Sequence, residues 1–358
     1  KKEHVNEIFF IRSIACLAIV LIHAITSSLT KFQDITATSY NLLSSLQMTL
    51  MFGTPMFIFI SEFLLSKTSK QVNKHFFIKR FKFLILPYLF MAIIYAIVDE
   101  RSNGLRAIII DILKNIFFAN FIGYFIIIIF QFYFLHFLFQ KSFQKWKAHY
   151  VLIIAFIVNV SYLAFFNFIP PSNVIPQAYY IWYRLSWLPF VGWIFYFALG
   201  YYCGFYYNSY KSFIYRYRYY LVVGTIISFV AMLILQHLGL PEMVSSKRID
   251  VLVFTTFLIT TLFYLVSKIK VVPSVIFIIN NYSFSIYLLH GVFIMFLEKI
   301  PFRNVTLYII SMFFLSLTLS ISISKIINLL PVGKYLVGNV TTYKNTVTSK
   351  PTQKIKNA

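Results

Sequence analysis

The sequence predicts an all-α fold: a polytopic transmembrane helical bundle of about ten spans, with both termini cytoplasmic. Three observations predict it. The 358 residues are 59% hydrophobic and only 12% charged, with a mean hydropathy of +0.77, too apolar for a soluble chain that must cover its cores with polar surface. Apolar runs of about 20 residues, long enough to cross a bilayer as helix, recur along the whole chain. Basic residues are shared unequally between alternate loops, which sets the orientation. Alternating strands are absent, which argues against an outer-membrane barrel.

Taken in order, the spans are expected at 8–28, 46–66, 81–99, 119–140, 149–168, 188–207, 219–239, 249–267, 281–298 and 305–330. The first lacks a small-residue cleavage site and is followed by many more, so it reads as a retained helix and not a removed signal peptide. The N-terminus, the loops at 67–82, 141–147, 211–218 and 268–270, and the C-terminal end from Lys325 onward together hold 22 basic residues against Glu3 and Glu7. The opposite set of loops holds nine basic and seven acidic residues. The positive-inside rule therefore puts the first set in the cytoplasm, and the formal charge of +22 needs no nucleic acid. Residues 1–333 read as one transmembrane domain, and 334–358 as a polar, basic, disordered cytoplasmic tail. The stretch "DERSNGLRAIIIDILKNIFF" between the third and fourth spans has apolar residues at helical spacing among charges and reads as an interfacial helix on the outer face. No convincing internal repeat is present, which weighs against a secondary transporter.

Ionisable groups inside spans are costly and mark function by default. The first span, "FFIRSIACLAIVLIHAITSS", holds Arg12 and His23 eleven residues apart. At 100° per residue they fall within about 20° of one stripe, about 16 Å apart along the axis. The bland alternatives are a snorkelling arginine and a hydrogen-bonded packing histidine. Together they describe a polar groove running from the cytoplasmic mouth toward the outer leaflet. "PMFIFISEFLLS" puts Ser61 and Glu62 level with Arg12, where an Arg12–Glu62 ion pair would be a structural role. "HFFIKRFKFLILPY" places Arg80 and Lys82 where the third span leaves the cytoplasm, as topological charge or as a phosphate clamp. "INNYSFSIYLLHGVF" sets Ser283, Tyr287 and His290 at i, i+4 and i+7, one helix face that should turn into the bundle. His136 reads as a structural histidine, and Cys16 and Cys203 as buried thiols. No His, Cys or carboxylate cluster has metal-ligand spacing.

These residues carry a resemblance. The sequence resembles the acyltransferase-3 family of integral membrane O-acyltransferases, most of all the branch associated with intercellular-adhesin exopolysaccharide biosynthesis. That family's first helix carries an Arg, ten residues, then a His, matched by Arg12 and His23. Its phenylalanine-rich second helix ends in Ser-Gly-Phe-Leu, matched by Phe57, Phe59, Ser61, Phe63 and Leu64. A basic cluster running into Pro-x-Tyr resembles Arg80, Lys82, Pro87 and Tyr88, and a Gln-Phe-Tyr segment resembles Gln131, Phe132 and Tyr133. A Ser-Tyr-x-x-Tyr-Leu-x-His signature resembles "SFSIYLLH", ending at His290. The chain departs from the pattern at Glu62, where the family has Gly, at Lys82 beside Arg80 in place of an arginine pair, and at Ile129 and Phe130 where acids are common. No segment corresponds to the family's optional esterase-like domain.

The resemblance implies transfer of a short acyl group, acetyl or succinyl, from cytoplasmic acyl-CoA (acetyl-CoA or succinyl-CoA) to a hydroxyl of a cell-envelope or exported polysaccharide, with no tightly bound cofactor. Arg12, Arg80 and Lys82 would bind the anionic donor. His23 would serve as general base or brief acyl carrier. Ser61, Glu62, Ser283 and Tyr287 would position the reactants, with His290 as a second catalytic residue. The partners implied are acyl-CoA, the glycan acceptor and membrane lipids, in the bacterial plasma membrane, with membership of a glycan synthase complex as a further reading. The rival class is a polysaccharide or lipid-linked glycan exporter that uses the same groove without acyl transfer.

Overall fold

The computed structural model describes residues 5–68, 72–172 and 177–340. Its helices are α1 (Asn6–Lys31), α2 (Ala37–Leu50), α3 (Gly53–Lys67), α4 (Lys74–Arg80), α5 (Leu86–Glu100), α6 (Leu105–Phe118), α7 (Phe125–Lys145), α8 (Ala148–Phe168), α9 (Ala178–Trp187), α10 (Ile194–Phe205), α11 (Tyr207–Arg216), α12 (Arg218–His237), α13 (Ile249–Ser267), α14 (Ser274–Leu297) and α15 (Val305–Ile327). Among the described residues, nine helical runs are long and apolar enough to cross a membrane, and α9 with residues 190–205 forms a tenth, bent by 45°. The protein is an all-helical, multi-pass membrane protein. The end of the bundle where α1 begins is called proximal below, and the other end distal.

α1 is the hub, packed against α2, α3, α13, α14 and α15. Its apolar residues are buried around most of its circumference, as a helix surrounded by helices requires. α8 and α12 are peripheral: Ile153, Ile154 and Ile157 on one, and Tyr220, Ile226 and Ile227 on the other, face outward. Apolar side chains in that position suit lipid and would be poorly placed in water. α3 and α10 pack most closely, because Gly200 and Gly204 sit four residues apart on α10 and let the backbones approach.

Three breaks in the helices position the interior. Before α5, residues 81–85 form a π-helical turn in which Leu86 N–H bonds Phe81 O. Pro87 has no N–H and cannot continue the α-helical ladder there. The second break is Ile122–Tyr124, a single 3₁₀ turn between α6 and α7. The third is at Pro189, where the side-chain amide of Gln131 donates to Leu188 O at 2.9 Å and accepts from Phe190 N at 3.0 Å. One turn later Asn159 does the same for Gly192 O and Phe195 N. Broken backbone inside a membrane bundle must be satisfied by protein groups, and two amides do so here.

Two expectations are corrected. α6 does not lie across the outer face; it doubles back along α5. Asn115 Nδ2 donates to Ala92 O at 3.1 Å, and Tyr88 OH donates to Asn115 O at 2.5 Å. Tyr88 lies twelve residues before the end of α5, about 18 Å into the bundle. The polar Asp111 and Asn115 are both buried in that position, and Asn115 also donates to Asp111 Oδ2 at 3.1 Å. The packed chain also continues past residue 334. Tyr335 stacks on Phe83 with centroids 5.5 Å apart, Val337 is fully buried, and Asn328 Nδ2 donates to Gly338 O. The rest of the expected tail, 341–358, lies outside the described residues.

Candidate active site

The site forms where α1 and α14 cross in the distal half of the bundle. The sequence places His23 and His290 far apart in the chain; the fold brings their rings to 5.1 Å between centroids, tilted by 51°. His23 is half-buried, whereas His290 is completely buried. Nδ1 of His290 lies 2.8 Å from Ile286 O, one helical turn back. A carbonyl only accepts, so Nδ1 carries the proton and Nε2 presents a lone pair. That Nε2 has no hydrogen-bond partner among the described residues. An imidazole of fixed tautomer, with a bare nitrogen beside a second imidazole, can accept a proton and pass it on.

Aromatic hydroxyls wall this pair. The Tyr287 ring lies 6.3 Å from that of His290. Its hydroxyl donates to Ile122 O and accepts from Phe125 N at 3.2 Å, so it ties the 3₁₀ break to α14. Tyr95 donates to Leu288 O at 3.1 Å from α5. Gly291, next to His290, leaves the space that Tyr95 and Ile122 occupy. Tyr124, in the break itself, packs against Trp187 at 4.4 Å. Sequence reading passed over Tyr95 and Trp187 and gave Tyr124 little weight, since a tyrosine in an apolar helix carries no signal until its neighbours are known.

The other expected site residues divide. Ser61 Oγ lies 3.2 Å from Tyr133 OH, and the Arg80 guanidinium sits over the Tyr133 and Phe76 rings at 4.9 and 5.0 Å. Ser61 and Arg80 are thus brought together, toward the proximal end, with Tyr133 between them. Lys82 lies in the π-helical turn and is exposed, away from that cluster. Arg12 is half-buried on α1. The partner of Glu62 is His136, not the expected Arg12. Its Oε1 lies 2.5 Å from Nδ1, and both side chains are buried between α3 and α7. Ser283 bonds back to Asn280 O within its own helix, against Cys16 of α1, and does not reach the histidine pair. Among the described residues, no group of three His, Cys, Asp or Glu side chains could hold a metal ion.

A second polar cluster, missed in the sequence, lies beyond Trp187 toward the distal end. Arg184 of α9 reaches Ala119 O and Asn120 Oδ1, and Lys247, from the loop before α13, lies over the Tyr183 and Trp187 rings at 5.3 and 5.6 Å. That loop is fastened by Arg248, fully buried, which binds Asp250 and the carbonyls of Leu240, Pro241 and Met243.

Comparison with known proteins agrees with this architecture. The family model described as an acyltransferase domain, acyltransferase-3, matches residues 5–325. A Bacillus subtilis (strain 168) protein named "Putative membrane-bound acyltransferase YfiQ" is 40% identical over 294 residues, covering 81% of each chain. Proteins named "Probable poly-beta-1,6-N-acetyl-D-glucosamine export protein" are 26% identical in Staphylococcus aureus (strain Mu50), over 80% of this chain and 81% of the relative, and 27% identical in Staphylococcus epidermidis, over 81% of each. No solved structure matches the chain. With a family match that spans the helices carrying both histidines, this chain belongs to the acyltransferase-3 family of membrane-bound acyltransferases.

Proposed function

We propose that the protein is an O-acyltransferase of the bacterial plasma membrane, moving a short acyl group (acetyl or succinyl) from cytoplasmic acyl-CoA to a hydroxyl of a cell-envelope or exported polysaccharide. The observation that carries this reading is the His23–His290 pair, 5.1 Å apart, with one buried ring nitrogen that no group among the described residues satisfies. Family membership supplies the reaction class. The half-buried His23 is the ring that meets substrate, and His290 lies behind it as the group that shares its proton.

In the reaction, the acceptor oxygen attacks the thioester carbonyl carbon while its proton passes to the imidazole. The carbon–sulfur bond then breaks, and the CoA sulfur leaves as the thiol, taking that proton back. A positioned base of this kind contributes about 10²–10⁴ in rate. The proximal excess of cations supports donor entry from that side, which the positive-inside rule assigns to the cytoplasm. Arg12, Arg80 and Lys82 are the candidates for the donor phosphates, with Ser61 holding Tyr133 under Arg80. Glu62 holds α3 to α7 through His136. Tyr287 fixes the 3₁₀ turn beside the reacting groups, and Ser283 supports the α1–α14 contact.

The names of the staphylococcal relatives favour a second reading, polysaccharide export without acyl transfer. The two separate in one experiment. Purified protein in nanodiscs is given radiolabelled acetyl-CoA, and turnover is compared in wild type, His23→Ala and Arg12→Ala. The acyltransferase reading expects label transfer or thioester hydrolysis in wild type, a fall of about 10²-fold or more in His23→Ala, and a raised KM for acetyl-CoA in Arg12→Ala. Folded wild type that neither binds nor turns over acyl-CoA, with an acceptor glycan supplied, would move the assignment to export.

A further inference from the structure

The cluster around Arg184 and Lys247 is built unlike the rest of the interior. Two cations lie against one indole, the Arg184 guanidinium 5.1 Å and the Lys247 ammonium 5.6 Å from the Trp187 ring. Tyr180 and Tyr183 complete the aromatic wall, with Arg184 at 5.0 and 6.0 Å from their rings. Among the described residues neither cation has a carboxylate within ion-pair range. The acid linked to them, Asp111, stands one amide away: Asn120 accepts from Arg184 and donates to Asp111 Oδ1 at 3.5 Å. Asp111 is further held by Asn115 Nδ2 at 3.1 Å.

Three buried polar atoms here also lack a partner among the described residues: Arg184 Nε, Trp187 Nε1 and Tyr180 OH. Trp187 itself is only 3% exposed. Indole and guanidinium nitrogens donate and never accept, so the cluster is rich in donors and carries uncompensated positive charge. Orphaned buried donors are rare, and like charges held together in a shielded site are unfavourable unless something opposite joins them. The loop carrying Lys247 is not free to withdraw it. Asn167 Nδ2 holds Lys247 O at 3.0 Å, and Arg248 pins the segment from within. The cluster also adjoins the histidine pair. Trp187 packs on Tyr124, the next residue's N–H bonds Tyr287 OH, and Tyr287 faces His290.

We propose that the Arg184–Lys247 cluster is an oxyanion subsite, which holds a phosphate or carboxylate borne by the acyl acceptor so that a neighbouring hydroxyl reaches the histidine pair. The proposal rests on the reading of the protein as an acyltransferase whose acceptor enters from the distal end. It specifies that acceptor as an anionic glycan or glycan precursor, whose sugar face stacks on the exposed ring of Tyr183. Burial and the adjacent Arg184 push the Lys247 ammonium down to about 7, so a bound anion would draw its proton back. Of the groups facing Lys247, Arg184 is charged, Tyr183 and Trp187 are neutral, and Asp250 is taken up by Arg248.

The test is calorimetric titration of the full chain, in nanodiscs of phosphatidylcholine alone, with inorganic phosphate and pyrophosphate at pH 6.5 and 8.5. Wild type is expected to bind pyrophosphate at pH 6.5 and to lose affinity at pH 8.5. Lys247→Met should weaken binding at least tenfold at pH 6.5 with an unchanged thermal midpoint, and Lys247→Arg should bind equally at both pH values. Arg80→Ala separates this site from the proximal cations, since the distal component should survive it. Binding that phosphatidylglycerol in the nanodisc abolishes would assign the subsite to a lipid headgroup and overturn the acceptor. Oxyanion binding that is absent, or indifferent to Lys247, overturns the subsite itself. These readouts need no turnover, so they stand apart from the acyl-transfer assay.

Discussion

At the scale of single residues, two buried histidines show how differently the same side chain is used. His136 has its Nδ1 against the Glu62 carboxylate, whereas His290 spends one nitrogen on its own helix and leaves the other bare. Removing one member of a buried, hydrogen-bonded pair strands the other, at about 3–5 kcal/mol. Glu62→Ala should therefore lower the thermal midpoint markedly. His290→Ala should disturb stability less, yet reduce acyl transfer by about 10²-fold or more. Thermal melts and turnover of both variants check this, and a reversed pattern would make His290 the structural residue. The sequence disclosed only half of the contrast. Arg12 and His23 stood out because apolar helices exclude such groups, and His290 because its polar neighbours repeat on one face. The partner of Glu62 lies 74 residues away, on a helix whose rotation one sequence does not reveal.

At the scale of elements, the placement of the site depends on how closely α3 and α10 approach. A Cβ built on Gly200 would stand 2.6 Å from Phe59 O and 3.2 Å from Glu62 Cβ, so a side chain there meets backbone that cannot swing aside. Gly200→Ala is expected to push the helices apart, at about 1–3 kcal/mol. It should also lower turnover, because α3 carries Ser61 and Glu62. Gly192→Ala is the control, since the nearest atom to its Cβ is 3.4 Å away. Melting curves of the two variants measure the difference, and equal midpoints would show that α3 and α10 can separate without consequence. The Gly-x-x-x-Gly spacing at 200 and 204 was visible in the sequence and would have marked this contact. The insertion of α6 was not: its amphipathic pattern fits an interfacial helix equally well until Asp111 and Asn115 are seen to find partners on α5 and at Asn120. The first half of the sixth span was also missed. Tyr, Trp, Ser and Arg dilute its hydropathy, and Pro189 ends its ladder.

At the scale of the whole molecule, ten crossings were legible because hydropathy is a property of each segment alone, needing no knowledge of its neighbours. Orientation is a different kind of property, carried by the sum of charges over all loops. An even number of crossings puts residues 5 and 340, the first and last described, on one face. The excess of Lys and Arg on that face, 22 against nine on the other, predicts that it is cytoplasmic. The same asymmetry decides whether the two cationic clusters can serve the roles proposed for them. Arg80 must face the CoA pool, while Arg184 and Lys247 must face the exported acceptor. Single cysteines at exposed positions test this directly. Lys145→Cys lies at the proximal end and Arg303→Cys at the distal end, while Cys16 and Cys203 are buried and should stay silent. A membrane-impermeant maleimide added to intact cells should label Arg303→Cys and spare Lys145→Cys until the cells are opened. Labelling of Lys145→Cys from outside would invert the molecule. The histidine pair, set toward the distal end, would then open to the cytoplasm, and the donor and acceptor would have to exchange faces.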